Sequence, residues 1–155
     1  MPLVAQRVEI FRFDTFGDET QWTDTLRLHE VISKPVSPVA ALAVGLKVDS
    51  EALPAAVVQG IQNKSIDLTS PATTIALLKL NAVLGLKGTV ETTNGTDTLT
   101  WPRVTCALCH STVDDSFSKE TGKRLDGWPN RDLNLCAIVA LSPAVDEPKR
   151  VVYLS

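Results

Sequence analysis

The sequence predicts a mainly α-helical protein in which a short β-ribbon separates two helical parts. Ser37-Pro38 and Ser70-Pro71 each open an apolar run with helical spacing. A capping serine followed by proline at the first helical position favours a helix start. Asn94-Gly95 lies in a stretch rich in threonine and glycine, which favours two strands joined by a tight turn.

The elements follow in order along the chain. Residues 1–14 alternate apolar and charged side chains in a partly strand-like pattern. Residues 18–33 have helical spacing, which places His29 on one face with Trp22 and Leu26. Further helices are expected over 39–46, 49–62, 72–80, 104–113 and 132–141, strands over 83–91 and 96–101, and a long loop over 114–130.

The same pattern divides the chain into three parts. Residues 1–82 form a helical N-terminal region, 83–102 a ribbon or linker, and 103–155 a C-terminal domain. The ribbon is the expected boundary because composition changes most sharply there.

Composition excludes several classes of function. Among 155 residues, 18 acidic side chains outnumber 15 basic ones, giving a net charge of -3. We therefore expect no nucleic-acid partner, since binding a phosphate backbone needs excess positive charge. We also expect no membrane span, because no apolar run approaches the roughly 20 residues that a transmembrane helix needs.

The chemistry of the chain is concentrated in Cys106-Ala107-Leu108-Cys109-His110. This Cys-x-x-Cys-His pattern is typical of c-type haem attachment. Two thiols on one helical turn can reach the two vinyl groups of a porphyrin edge, and the adjacent imidazole can ligate the iron from the same side. A redox dithiol and a structural zinc site are the alternatives, the latter needing Cys136 and His29 as further ligands.

The sequence resembles a known family over two segments, residues 104–114 and 122–130. They resemble the haem segment of bacterial class I-like c-type cytochromes, and look most like larger bacterial proteins in which an extra helical segment precedes such a domain. The resemblance covers about residues 100–143. It implies a cytochrome c-like haem module, covalently bound haem c with its iron, and electron transfer with redox partner proteins in the periplasm.

The resemblance also implies roles for individual residues. Cys106 and Cys109 would form the thioethers, and His110 would be the axial ligand. Gly122, Leu125 and Gly127 match the loop along the proximal face of the haem, but the proline that often precedes that leucine is missing.

Three further side chains are candidates for binding haem propionates. Arg124, Trp128 and Arg131 carry guanidinium or indole N–H donors near the motif. The alternative is that Trp128 packs in the core while both arginines are solvated.

Class I cytochromes use a methionine after the motif as the sixth iron ligand, and this chain has none there. Three hypotheses account for the missing methionine. In the first, which we favour, the chain is an incomplete copy of a longer cytochrome and the ligand lies beyond Ser155. In the second, His29 is the distal ligand. In the third, the iron is open or water-bound.

The expected function is that of an electron carrier rather than an enzyme, since the cofactor supplies the redox chemistry. The alternatives are a haem region of a peroxidase-like or oxidase-like enzyme and a haem-free remnant. Periplasmic location follows from the resemblance, although residues 1–14 show no export signal. Cys136 is expected to be a buried thiol on an apolar helix.

Overall fold

The computed structural model describes residues 3–145 of the chain. These residues form a mixed α/β fold with 42% helix and 22% strand. The expectation of a mainly α protein is therefore wrong. The largest difference lies at 111–126, where three short strands replace the end of a predicted helix and part of a predicted loop.

Seven α-helices are present in the described part of the chain. They are α1 (Leu3–Phe13), α2 (Leu28–Ser33), α3 (Pro38–Ala43), α4 (Ala55–Gln62), α5 (Pro71–Lys79), α6 (Ala107–His110) and α7 (Leu135–Ala140). A π-helical turn occupies Gln21–Thr25, and a 3-10 turn occupies Ser50–Ala52. None of these helices is long and apolar enough to cross a membrane.

The strands within residues 3–145 form three small two-stranded sheets. They are β1 (Val48–Asp49), β2 (Leu86–Thr93), β3 (Thr96–Val104), β4 (Ser111–Val113), β5 (Thr121–Gly122) and β6 (Arg124–Asp126). Strands β2 and β3 pair antiparallel, as do β4 and β6, whereas β1 and β5 pair parallel. The parallel pair joins the segment after α3 to the segment after the Cys-x-x-Cys-His motif.

The β2–β3 ribbon confirms the prediction made from Asn94-Gly95. Both turn residues have positive φ, 52° at Asn94 and 77° at Gly95. Such a turn matches the twist of the flanking strands. The pairing register shifts between Thr89 and Val90, so the ribbon contains a β-bulge at this point.

The N-terminal segments differ from their predictions. Residues 3–13 are helical rather than strand-like. The predicted helix over 18–33 is broken at Arg27, which has a left-handed φ of 51°. Because of this break, His29 lies on α2 and does not share a continuous helix face with Trp22.

The hydrophobic core lies between the helices and the ribbon. Its buried members come from α2, α3, α5, the ribbon, the motif and the segments between them: Val31, Val36, Ala41, Leu46, Val48, Leu53, Leu77, Leu78, Ala82, Val83, Leu99 and Leu108. Leu108, the second residue between the two cysteines, is therefore part of the core. This anchors the motif to the rest of the fold.

Helix α3 begins as the sequence predicts. The Ser37 hydroxyl oxygen accepts a hydrogen bond from the Ala40 N–H at 3.3 Å, and Pro38 is the first helical residue. Ser70 precedes Pro71 at the start of α5 in the same way, but its side chain makes no capping hydrogen bond.

We expect Ser37→Ala to lower the free energy of unfolding by about 1 kcal/mol, because an N–H that the cap satisfies loses its partner. Urea unfolding followed by circular dichroism measures the loss. Ser70→Ala is the matched control, and it should cost clearly less. Equal losses in the two variants would show that the Ser37 cap does not stabilise α3.

Candidate functional site

The Cys-x-x-Cys-His motif forms a single helical turn directly after the ribbon. Strand β3 ends at Val104, and the buried Thr105 then donates its backbone N–H to the Gly85 carbonyl at 3.0 Å. Cys106 occupies the N-cap position of α6 without a side-chain capping hydrogen bond, and the His110 N–H donates a hydrogen bond to the Cys106 carbonyl at 3.2 Å. The predicted helix over 104–113 is thus reduced to one turn between two strands.

This turn has an inner and an outer side. Ala107 and Leu108 are buried, at 0% and 3% exposure, whereas Cys109 and His110 are exposed and Cys106 is half-buried. Positions separated by three and four residues lie on the same side of a helical turn, so the two thiols and the imidazole project together. Cys106 and Cys109 are free thiols.

Gly85 sets how closely the turn packs against the ribbon. Its φ is +74°, and a Cβ atom there would lie 2.0 Å from the Leu108 nitrogen. Only glycine allows this approach with that backbone conformation. The sequence showed Gly85 as one of several glycines near the ribbon and gave no sign of its contact with the motif.

A second segment supports the turn from its carboxyl end. The Gly127 N–H bonds the His110 carbonyl, and the Asn130 N–H bonds the Cys109 carbonyl, both at 2.9 Å. The Asn130 side-chain amide donates to the carbonyls of Gly45 and Leu108 at 2.9 and 3.4 Å. Carbonyl groups at the end of a helical turn need such partners. The loop 127–130 is therefore attached to the backbone of Cys109 and His110.

Two of the three candidate propionate-binding residues lie on or beside this loop. Trp128 and Arg131 are both exposed and line an open depression together with Thr112, Pro129 and Asp132. Trp128 is 62% exposed, so the alternative that it packs in the core is wrong. Its indole N–H and the Arg131 guanidinium stay candidates for binding a carboxylate near the motif.

Arg124 is placed differently from the other two. Its side chain is only 4% exposed, and its Nε bonds Asp126 Oδ1 at 2.6 Å. Its Nη2 is buried and has no hydrogen-bond partner among the described residues. The alternative of a solvated Arg124 is therefore wrong, but its buried Nη2 has no accessible surface at which a propionate could bind.

Asp126 is the centre of a small polar network beneath the motif. It accepts hydrogen bonds from Arg12, Arg124 and the buried hydroxyl of Ser111, the residue after His110. Burial acts to raise the pKa of Asp126, but the hydrogen bonds from Arg124, Ser111 and Arg12 outweigh it and hold this pKa below its usual value. The carboxylate thus ties α1 and β6 to the start of β4.

We expect this network to stabilise the fold in a pH-dependent way. A carboxyl group whose pKa is lower in the folded state stabilises the fold at pH values above its unfolded-state pKa of about 3.9. This stabilisation is lost as the pH falls through the folded-state pKa. Asp126→Asn should therefore be less stable than the native chain at pH 7, and the difference should shrink toward pH 2. Urea unfolding across this range measures it. If the free energies of unfolding of the two proteins changed with pH in parallel, the lowered pKa of Asp126 would be contradicted.

His29 lies on α2, which contacts the ribbon and α5. Its side chain is 28% exposed, with Nε2 4.0 Å from Glu30 Oε1 and a buried Nδ1 that has no hydrogen-bond partner in the described part of the chain. Its role as a distal ligand stays a prediction. Within residues 3–145, no group of three or more His, Cys, Asp or Glu side chains is arranged to hold a metal ion.

Cys136 lies at the start of α7 and is exposed. The expectation of a buried thiol is therefore wrong. Helix α7 begins at Leu135, and Ala140 is its single buried residue, so Cys136 does not face the core. Apolar spacing predicted the helix but not which side of it faces the core.

The residues of the turn fit the attachment of a c-type haem. Two thiols and an imidazole, the groups that such attachment needs, share its outer side, while Ala107 and Leu108 turn inward. Comparison of the chain with protein-family models, curated proteins and solved structures finds no match.

Proposed function

We propose that this chain binds one haem covalently through Cys106 and Cys109, with His110 as an axial iron ligand, and that it transfers electrons as a c-type cytochrome. The observation that carries the proposal is the single exposed turn on which both thiols and the imidazole project together. The bound haem iron would accept one electron from a donor protein and pass it to an acceptor protein, by cycling between its ferric and ferrous states.

The protein's own residues would do three things. The Cys106 and Cys109 thiols would hold the haem by adding across its two vinyl double bonds, each forming a carbon–sulfur bond while its hydrogen would pass to the other vinyl carbon. No atom is lost and no oxidant is consumed. The His110 imidazole would bind the iron, and the His110 backbone is fixed by the hydrogen bond that its carbonyl accepts from the Gly127 N–H. Trp128 and Arg131, which are exposed and line one depression, would donate hydrogen bonds to the propionates.

The accessibility of the thiols favours attachment over a structural role. A cysteine that serves only as a small apolar side chain is usually buried. Here Cys109 is exposed and Cys106 half-buried, while their neighbours Ala107 and Leu108 fill the core. Because thioether attachment in bacteria takes place outside the cytoplasm, the proposal includes a periplasmic location.

Co-expression with a cytochrome c maturation system, followed by denaturing electrophoresis and haem staining, tests the proposal. We expect a stained band at the mass of the chain, because covalently attached haem survives denaturation. Ferric and ferrous forms of the purified protein should then interconvert with a one-electron mediator. A well-expressed chain without stain would contradict the attachment, and a stained chain that could not be reduced would contradict electron transfer.

A further inference from the structure

A buried lysine connects the N-terminal part of the chain to the segment behind the motif. Lys47 is 3% exposed, and its Nζ contacts Glu120 Oε2 as well as Asp132 Oδ2, the latter at 2.6 Å. The ammonium group holds the pKa of Asp132 below its usual value through this hydrogen bond and its charge. A buried ammonium is stable only when paired in this way.

The backbone around Lys47 contacts the same segment at several points. The Asn134 N–H bonds the Val44 carbonyl at 2.9 Å, and the Asn130 side chain bonds the Gly45 carbonyl. Gly45 has a φ of +85°, and a Cβ atom there would lie 2.0 Å from the Asp132 carbonyl oxygen. We call residues 44–47 together with 130–134 the clasp. It fixes the end of the loop that bonds Cys109 and His110.

We infer that Lys47 is a positioning residue for the motif: by holding Asp132, it keeps the loop 127–130 against the backbone of Cys109 and His110 and so fixes the direction in which the His110 imidazole projects. The inference rests on the proposed function, since orientation of the imidazole matters for ligation of iron.

The chain offers a matched pair of variants for the test. Asp132→Asn removes the carboxylate charge that Lys47 contacts, and because the Asp132 side chain is 61% exposed, we expect the fold to tolerate the change. Asp97→Asn removes a more exposed ion pair, in which Asp97 of the ribbon contacts Lys79 of α5 at 2.8 Å. Lys47→Met is a second, more severe variant at the clasp.

Hydrogen exchange in the haem-free chain measures the clasp directly. In Asp132→Asn we expect the Gly127 and Asn130 amides to exchange at least about tenfold faster, while the amides of α5 stay protected. Lys47→Met should reproduce the effect, and Asp97→Asn should leave these amides unchanged. Unchanged exchange in Asp132→Asn, or an equal increase that includes α5, would overturn the inference.

The haem-loaded chain gives a second measurement. We expect Asp132→Asn to shift the iron–histidine stretching frequency, recorded in the resonance Raman spectrum of the five-coordinate ferrous chain that photolysis of bound CO produces, while the haem stain remains. Asp97→Asn should not shift it. An unshifted frequency in Asp132→Asn would overturn the inference even if attachment succeeds, whereas a native chain that binds no haem contradicts the proposed function and leaves the exchange result to decide on the clasp.

Discussion

Replacing Cys106 and Cys109 together with alanine should abolish covalent haem. Each thioether needs one of these thiols, and neither of the neighbours Ala107 and Leu108 carries a nucleophile. After co-expression with the maturation system, the double variant should give no stained band, and each single variant should give at most a weak one. Staining intensity normalised to protein quantity measures the effect.

Cys136→Ala is the matched control for this experiment. Cys136 is also an exposed free thiol, but it lies on α7 rather than on the motif turn. We expect the control to stain like the native chain. A stain that persists in the double variant, or that disappears in Cys136→Ala, would show that haem is attached elsewhere.

Replacing Gly85 with alanine should strongly destabilise the fold. The variant combines an unfavourable left-handed φ with a Cβ atom placed 2.0 Å from the Leu108 nitrogen, a backbone atom that cannot move alone. Conformational strain of about 1–2 kcal/mol and overpacking of about 1–3 kcal/mol together predict a loss of about 2–5 kcal/mol. Urea unfolding of the haem-free chain measures this loss.

Gly95→Ala separates the two contributions. Gly95 also has a positive φ, +77°, but nothing lies within 4 Å of the place that a Cβ atom would take there. Gly95→Ala should therefore lower the free energy of unfolding only by the conformational strain, about 1–2 kcal/mol. Equal losses at Gly85 and Gly95 would show that the close approach of Gly85 to the motif does not contribute to stability.

Local sequence signals predicted the parts of the fold that depend on neighbouring residues. The ribbon follows from Asn94-Gly95, and the start of α3 follows from Ser37-Pro38. Strands β4 and β6 were missed because each has only three residues and pairs across the segment between them. Pairing of that kind depends on tertiary context that a periodic pattern does not contain.

The candidate site shows the same division. Spacing alone placed Cys106, Cys109 and His110 on one turn, which the structure has as α6 preceded by its cap. The supporting contacts of Lys47 and Gly85 could not be predicted, since they join residues far apart in the sequence. Exposure of Trp128 and Cys136 was likewise a matter of packing rather than of residue type.

Intact-mass spectrometry of the chain after co-expression with the maturation system tests the central claim most directly. Because thiol addition to vinyl groups loses no atoms, we expect the mass to rise by that of one whole haem, and peptide mapping to place the added mass on the segment with Cys106 and Cys109. An unmodified mass, or a loss of two hydrogens from a Cys106–Cys109 disulfide without added haem, would contradict the account.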